Sequence, residues 1–263
     1  MKKNTFSLYR HFILILLLLA AGNYVFAFKK VKQDYFQLKV YHYETDEQEK
    51  AIDQYLETAY LPTVHQLGFE KVGVFKPVEN VAGKERLIYV FVSASDLDQL
   101  VDLELRLAKD QRFQELGKIY LEANYNKPPF TRVETILMKA FAAMPKAKLP
   151  KLSAEKNKRI YELRSYEAAT EKLSMNKIDM FNNGEIDIFN KLNFNAVFYG
   201  QVIAGSTMPN LMYLTAFESI EDRNTHWKDF GPLYKPMQDL PQYQNNVSKS
   251  IKVLLFPTAY SDI

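Results

Sequence analysis

The chain says the same thing twice. After an apolar leader, Phe36-Gln37-Leu38-Lys39-Val40-Tyr41 is echoed by Tyr161-Glu162-Leu163-Arg164-Ser165-Tyr166, an offset of 125. The same offset sets Leu67-Gly68-Phe69 on Leu192-Asn193-Phe194. Further on, Leu87-Ile88-Tyr89 reads against Leu211-Met212-Tyr213, and Ser95-Asp96-Leu97-Asp98 against Ser219-Ile220-Glu221-Asp222. Those two blocks stand 124 apart, which implies one residue lost in between. Two copies of one folding unit constrain the architecture before any residue is asked about chemistry.

Each copy reads as strand, helix, strand, strand, helix, strand. Residues 35–43 alternate in the manner of a strand. A helix is predicted over 46–66, with Asp46, Glu47 and Glu49 suited to its N-terminal dipole and Pro62 kinking or ending it. Strands follow at 69–76 and 86–93 around a turn containing Gly83. Ser95 is expected to cap the next helix, with Asp98 three residues on. Helix resumes at 107–121, and 130–141 makes the last strand. The second copy has strand 159–166, helix 170–192, strands 194–203 and 209–218 around Gly205, a cap at Ser219, helical turns over 220–240 and a strand at 247–256. Units are thus placed at 34–141 and 158–257. Between them, the Lys- and Pro-rich stretch 142–157 reads as an exposed linker.

This βαββαβ order defines an α+β fold of two ferredoxin-like units, each leaving one sheet face uncovered. Burying those faces against each other gives an intrachain dimeric α+β barrel. The first strand has an apolar side, Phe36, Leu38 and Val40, expected against the helices. Its other side carries Gln37, Lys39, Tyr41 and Tyr43, aligned with Glu162, Arg164 and Tyr166. That side is expected to line the barrel, as a paired Glu162–Arg164 network or a wet cavity.

Residues 1–27 read as a secretory signal peptide: Lys2, Lys3 and Arg10 precede the apolar run 12–21, and Ala27 marks the cleavage point. Ten apolar residues are too few for a bilayer span of about 20. The product is expected to be exported, periplasmic or secreted, with no stable membrane span after cleavage. Three of the 34 basic residues and none of the 31 acidic ones lie in the leader, so the remainder balances at 31 of each. A neutral chain without a basic block is a poor nucleic-acid binder. The absence of cysteine excludes thiolate chemistry and disulfides.

The string Arg159-Ile160-Tyr161-Glu162-Leu163-Arg164-Ser165-Tyr166 resembles the opening of the NIPSNAP family domain. Leu211 to Ser219, followed by Asp222-Arg223 and His226-Trp227, resembles that family's later strand and helix. The first copy departs further, with Gln37 and Lys39 at the Glu162 and Arg164 places. The resemblance implies a dimeric α+β barrel and no particular reaction; related barrels include haem-binding enzymes and small monooxygenases.

The candidate barrel-lining residues are Glu162, Arg164, Tyr166, Tyr41, Tyr213 and His226. A site is expected on the Glu162, Arg164 and Tyr166 side rather than on the Gln37, Lys39 and Tyr41 side. Glu162 and Arg164 project from one strand face, as a structural ion pair or as a base and anion clamp. His42 and His65 read as polar residues at element ends. No metal site and no cofactor are expected. Haem is the alternative, needing an axial ligand such as His226 or a barrel tyrosine. The leading expectation is a non-catalytic binding or structural protein, with a small apolar or aromatic ligand in the barrel. The competing one is a cavity-based enzyme, monooxygenase-like or haem-dependent. Homo-oligomerisation through the outer helices or free strand edges is a third expectation.

Overall fold

The structure is a computed structural model that describes residues 31–81 and 85–263. The expected leader and the Gly83 turn lie outside the described residues.

Eight strands close into one barrel. They are β1 (Tyr35–Tyr43), β2 (Val72–Pro77), β3 (Arg86–Ala94), β4 (Arg132–Ala140), β5 (Ile160–Glu167), β6 (Phe198–Ala204), β7 (Asn210–Phe217) and β8 (Lys249–Pro257). Their order around the barrel is β1-β3-β2-β8-β5-β7-β6-β4, every neighbour antiparallel. Each unit thus contributes four strands, and the seams are β2–β8 and β4–β6.

Helices pack outside. In the first unit α1 (Asp46–Tyr55) starts from a capping box, Thr45 with Gln48. A π-turn (Leu56–Tyr60) leads into α2 (Leu61–Gln66). Pro62 sits in the first turn of α2, where a missing N–H costs little. The second unit repeats this with α7 (Glu171–Met180), a π-turn (Phe181–Glu185) and α8 (Ile186–Lys191). The two π-turns begin 125 residues apart, so the duplication preserved even this irregularity. The second helical stretches diverge. The first unit has four short helices: α3 (Leu97–Val101), α4 (Leu103–Leu107), α5 (Gln111–Leu116) and α6 (Lys118–Leu121). The second has one long helix, α9 (Ile220–Gln238), capped by Ser219.

The strand register corrects the alignment. Lys39 pairs with Val90 and Arg164 with Tyr213, so the β3/β7 offset is 123 rather than 124. Two residues were lost, and Tyr213 matches Val90, not Tyr89. By the same count the partner of Ser219 is Asp96, which occupies the α3 cap position without a side-chain cap bond. Ser95 does not cap; its hydroxyl lies 3.3 Å from the Asp96 carboxylate.

The faces of β1 and β5 are the reverse of the sequence expectation. Phe36, Leu38, Val40, Tyr161 and Leu163 point into the barrel, in one cluster with Phe75, Phe91, Phe198 and Met212. Tyr41 and Tyr43 pack under α1 and the first π-turn, and Tyr166 and Tyr213 pack with Phe181 and Phe189 under the second unit's helices. The physical reason is access to water. A barrel interior is dry except at its mouths, so it takes the predominantly apolar set. The sheet–helix layer has edges, where tyrosine hydroxyls and long cationic side chains can reach partners or solvent.

At one end the interior is filled. The Phe91 and Phe198 rings stack at 4.7 Å, Phe36 meets both, and Phe75 meets Tyr161 at 4.9 Å. Two glycines make room. A Cβ on Gly73 would come within 2.5 Å of the Phe75 ring, and one on Gly200 within 2.9 Å of Met138.

The stretch 142–157 is not a free linker. Met144 and Ala147 are buried, Lys148 N–H donates to Val197 C=O, and Glu218 accepts from the backbone N–H groups of Ser153 and Ala154. Its charged residues disguise an apolar pair that anchors it to the second unit.

Candidate functional site

Glu162 sits at the centre of a charged network on the outer face of β5. Its side chain is fully buried and accepts three hydrogen bonds. Arg164 Nε donates to Oε1 (2.5 Å), Arg223 Nε to Oε2 (2.5 Å) and Trp227 Nε1 to Oε2 (2.8 Å). The Arg164 guanidinium stacks 3.6 Å above the Trp227 ring. It also donates to Tyr166 Oη, which is 2.8 Å from Tyr213 Oη. Burial raises the Glu162 carboxyl, but Arg223 and Arg164 outweigh it and hold it below the ordinary 4.5. A carboxylate buried with three donors, two of them guanidinium groups, is stabilised as the anion and is a poor base toward a substrate. The arrangement is a clamp: α9 buries one residue fully, Phe230, and is tied to β5 by charge.

A second buried pair lies beside it. Lys177 Nζ is 2.6 Å from Glu185 and 2.9 Å from Tyr234 Oη, under the rings of Phe181 and Tyr234. Burial pushes the Glu185 carboxyl up, against the pull of Lys177. The first unit is an internal control. By the 125 offset Ile52 and Tyr60 stand at these two places, and by the 123 offset Val90 and Leu100 stand for Tyr213 and Arg223. All four are buried in an apolar cluster. The first unit's layer closes without these four polar groups, and keeps one ion pair at the Arg164 place, Lys39 with Glu104.

The six sequence candidates therefore do not line the barrel. Glu162, Arg164, Tyr166 and Tyr213 meet in the second sheet–helix layer. Tyr41 lies in the other layer, against Tyr120 and Phe130. His226 is wedged edge-on between Phe194 and Phe217, with Nδ1 2.8 Å from the Asp222 carbonyl. That ring faces packed aromatics rather than a cavity, so it does not fit an axial haem ligand.

The hollow is at the open end of the barrel. A cavity of about 250 Å³ is walled by Val40, Tyr89, Ile136, Leu163, Met212 and Val253. Its polar rim is His42, Glu134, Ser165, Ser206, Thr207 and Asn210. A second hollow of about 410 Å³ shares Leu87, Tyr89 and Val253 with it and continues outward past Asn80, Glu85 and Lys252. Most of the rim satisfies itself. Ser165 Oγ donates to Asn210 Oδ1 (3.1 Å), Asn210 Nδ2 donates to Thr207 Oγ1 (3.1 Å), and Ser206 donates to Glu134 (3.0 Å). Arg132 pairs with Glu134. His42 is buried between two carboxylates, Nδ1 2.9 Å from Glu85 and Nε2 3.1 Å from Glu134. The Glu134 approach is misaligned, so Nε2 has no hydrogen-bond partner among the described residues.

Sequence reasoning missed His42 and Glu134. The signal was present: His42 continues the alternation Phe36, Leu38, Val40 and so belongs to the inward face. Among the described residues, no three His, Cys, Asp or Glu side chains are placed to hold a metal ion, and no helix is long and apolar enough to cross a membrane.

The closed eight-stranded barrel with helices outside defines a dimeric α+β barrel protein, its two halves fused in one chain. Solved structures share that fold at low identity. A candidate monooxygenase from Fusobacterium nucleatum subsp. nucleatum superposes with TM-score 0.54 at 9% identity, covering 86% of this chain and 93% of its own. One from Lactobacillus acidophilus gives 0.52 at 10%, covering 86% and 94%. An anthrone oxidase-like protein gives 0.52 at 11%, covering 87% and 93%. No curated protein matches the chain in sequence. Residues 161–262 match the NIPSNAP family model. The match falls on the second unit, whose opening string carries the resemblance.

Two outcomes test the charged layer. The lowered Glu162 carboxyl contributes stability that is present above its unfolded value and is lost as pH falls through the folded one. Glu162→Gln should therefore be less stable at neutral pH and lose less on going from about pH 5 to pH 3. Urea unfolding across that range reads it, and parallel acid limbs for variant and parent would refute the clamp. For the second pair, Lys177→Met alone should cost about 3–5 kcal/mol, whereas Lys177→Met with Glu185→Leu should recover most of it. A double variant as unstable as the single would show that the pair itself holds the layer.

Proposed function

We propose that this protein binds a small apolar or aromatic molecule at the open end of its barrel, as a NIPSNAP-like binding protein without a required cofactor. The carrying observation is the cavity of about 250 Å³, apolar on its walls and polar on one rim. Ligand sites combine apolar walls with a few placed polar groups in this way. The volume suits one ring with a short substituent, because the stacked Phe91 and Phe198 block deeper entry.

A catalytic reading draws on one feature of the same cavity. His42 and Glu134 form an acid–base pair on its rim, and the structural neighbours from Fusobacterium and Lactobacillus are candidate monooxygenases. Proton transfer at a bound ring is the step such a pair could assist.

Filling the cavity separates binding from fold. The parent should gain several degrees of thermal stability in millimolar indole or toluene, as mass action on the native state requires. Met212→Trp should fold and show no gain. An equal gain in both proteins, or none in the parent with any small aromatic probe, would overturn the proposal.

Export belongs to the same proposal, supported by the leader composition of residues 1–27. Intact-mass measurement of the chain recovered from the periplasm or medium should give an N-terminus at Phe28. Recovery only from the cytoplasm with Met1 retained would sink it.

A further inference from the structure

We infer that the second unit carries its own site for an organic carboxylate with a short apolar tail. The site is a hollow of about 220 Å³ between the crossing segment 142–157 and the end of α8. It is separate from the barrel mouth and does not depend on the binding reading above.

The duplication supplies the comparison. Each unit's last strand runs on across the other unit. After β8, Thr258 N–H donates to Val74 C=O (2.9 Å) and Asp262 N–H to Val72 C=O (3.0 Å). After β4, Phe141 N–H donates to Tyr199 C=O (3.0 Å) and Lys148 N–H to Val197 C=O (2.9 Å). The acceptors stand 125 apart in both cases, so Lys148 takes the place of Asp262. On the first unit the Asp262 carboxylate lies 2.7 Å from His65 Nε2 and accepts from Val72 N–H (2.8 Å). The same offset puts Asn190 at the place of His65. An acid held by an imidazole in one unit thus becomes a lysine beside a carboxamide in the other.

Lys148 and Asn190 both line the hollow, with Lys151 and Asn193. Lys151 and Asn193 join the local network through their backbones alone. Lys151 N–H donates to Asn195 Oδ1 (3.2 Å), and Asn193 C=O accepts from Asn195 Nδ2 (3.0 Å). These four side chains have no hydrogen-bond or ion-pair partner among the described residues, and no Asp or Glu lines the hollow. The loop that carries the asparagines is preset, since Asn193 and Asn195 hold left-handed backbone (φ 56° and 46°) that asparagine tolerates.

Val197 N–H is spent on Leu214 C=O (2.8 Å), so the donors left for a ligand are two ammonium groups and two carboxamides. Such a set fits a carboxylate, whose oxygens accept several charge-assisted hydrogen bonds. An amine would meet both lysines in repulsion, and an alcohol would gain nothing from their charge. Met144, Leu149 and Ala196 wall the rest of the hollow over the paired rings of Phe189 and Phe194. That apolar side distinguishes an organic acid from a bare inorganic anion.

Calorimetric titration of the full chain at low salt with hexanoate, 1-hexanol and hexylamine tests the site. Hexanoate should bind at least about tenfold more tightly than 1-hexanol, a difference of ~1.4 kcal/mol. Hexylamine should not bind measurably. Lys148→Gln with Lys151→Gln should remove hexanoate binding without moving the thermal midpoint. Asn190→Asp should remove it too, by putting a carboxylate in the hollow as Asp262 does against His65. Met212→Trp, which fills the barrel mouth, should leave it intact. Absent hexanoate binding, binding unchanged in the double lysine variant, or equal displacement by sulfate would overturn the assignment. Loss of hexanoate binding in Met212→Trp alone would also overturn it, while favouring the mouth.

Discussion

Closing eight strands into one barrel puts one face of every strand where water does not follow. That constraint governs the rest of the molecule. A face with no route to solvent must be apolar along its whole length or end at a mouth. The inward positions largely obey it: rings and branched side chains fill one end, with the Tyr161 hydroxyl the exception, and the other polar groups gather at the mouth around His42 and Ser165. The two units solve the packing by exchange rather than by symmetry. On the seam strands β2 and β6, the first unit places glycine at 73 and phenylalanine at 75. The second places phenylalanine at 198 and glycine at 200. By register these are matching positions with the sizes swapped. Two phenylalanines at the same height would collide, and two glycines would leave a void.

The outer layers show how much freedom remains once the interior is set. In the first unit, Leu100, Leu103, Leu107 and Phe113 on short helices are buried against the sheet. In the second, α9 buries only Phe230 fully and is held by Arg223 and Trp227 on Glu162. Buried ion pairs are rarely the most stable solution, since desolvation offsets much of the attraction. They are directional, however. The Glu162 clamp adds a directional tie to a long helix whose Trp227, Phe230 and Tyr234 pack on the second unit's aromatic cluster. This accounts for the family string at 161–166 without assigning it chemistry.

Much of this was legible in the sequence. The duplication, the strand order and the closed barrel follow from residues 36–41 set against 161–166 and from the βαββαβ pattern. The face assignment did not follow. Alternation shows that β1 has two sides and does not say which meets the partner sheet. Tyr41 and Tyr43 looked polar enough for a wet interior, yet their rings are what the helix layer needs. The register error had a similar origin. Leu87-Ile88-Tyr89 and Leu211-Met212-Tyr213 share letters, but the ladder pairs Arg164 with Tyr213 and Lys39 with Val90. In a strand, a slip of one residue exchanges the faces, so an alignment by letters brought Tyr213 to the wrong side.

The same inversion relocates the site. The second unit keeps the family string and so drew attention to Glu162, Arg164 and Tyr166, all of which serve the outer layer. The open cavity instead takes His42 and Glu134 from the first unit, and from the second both wall, Leu163 and Met212, and neutral rim, Ser165, Ser206, Thr207 and Asn210. Such a division follows from fusing two units into one chain. A homodimeric barrel must present every mouth residue twice, so an inward His42 and Glu134 would face their own copies across the opening. Two such dyads would crowd four carboxylates, with Glu85 counted, around one narrow mouth, at a repulsion that an interior of low dielectric magnifies. With the copies on one chain, Ile251 and Glu167 replace the second dyad, and the two sides of the mouth can carry different side chains.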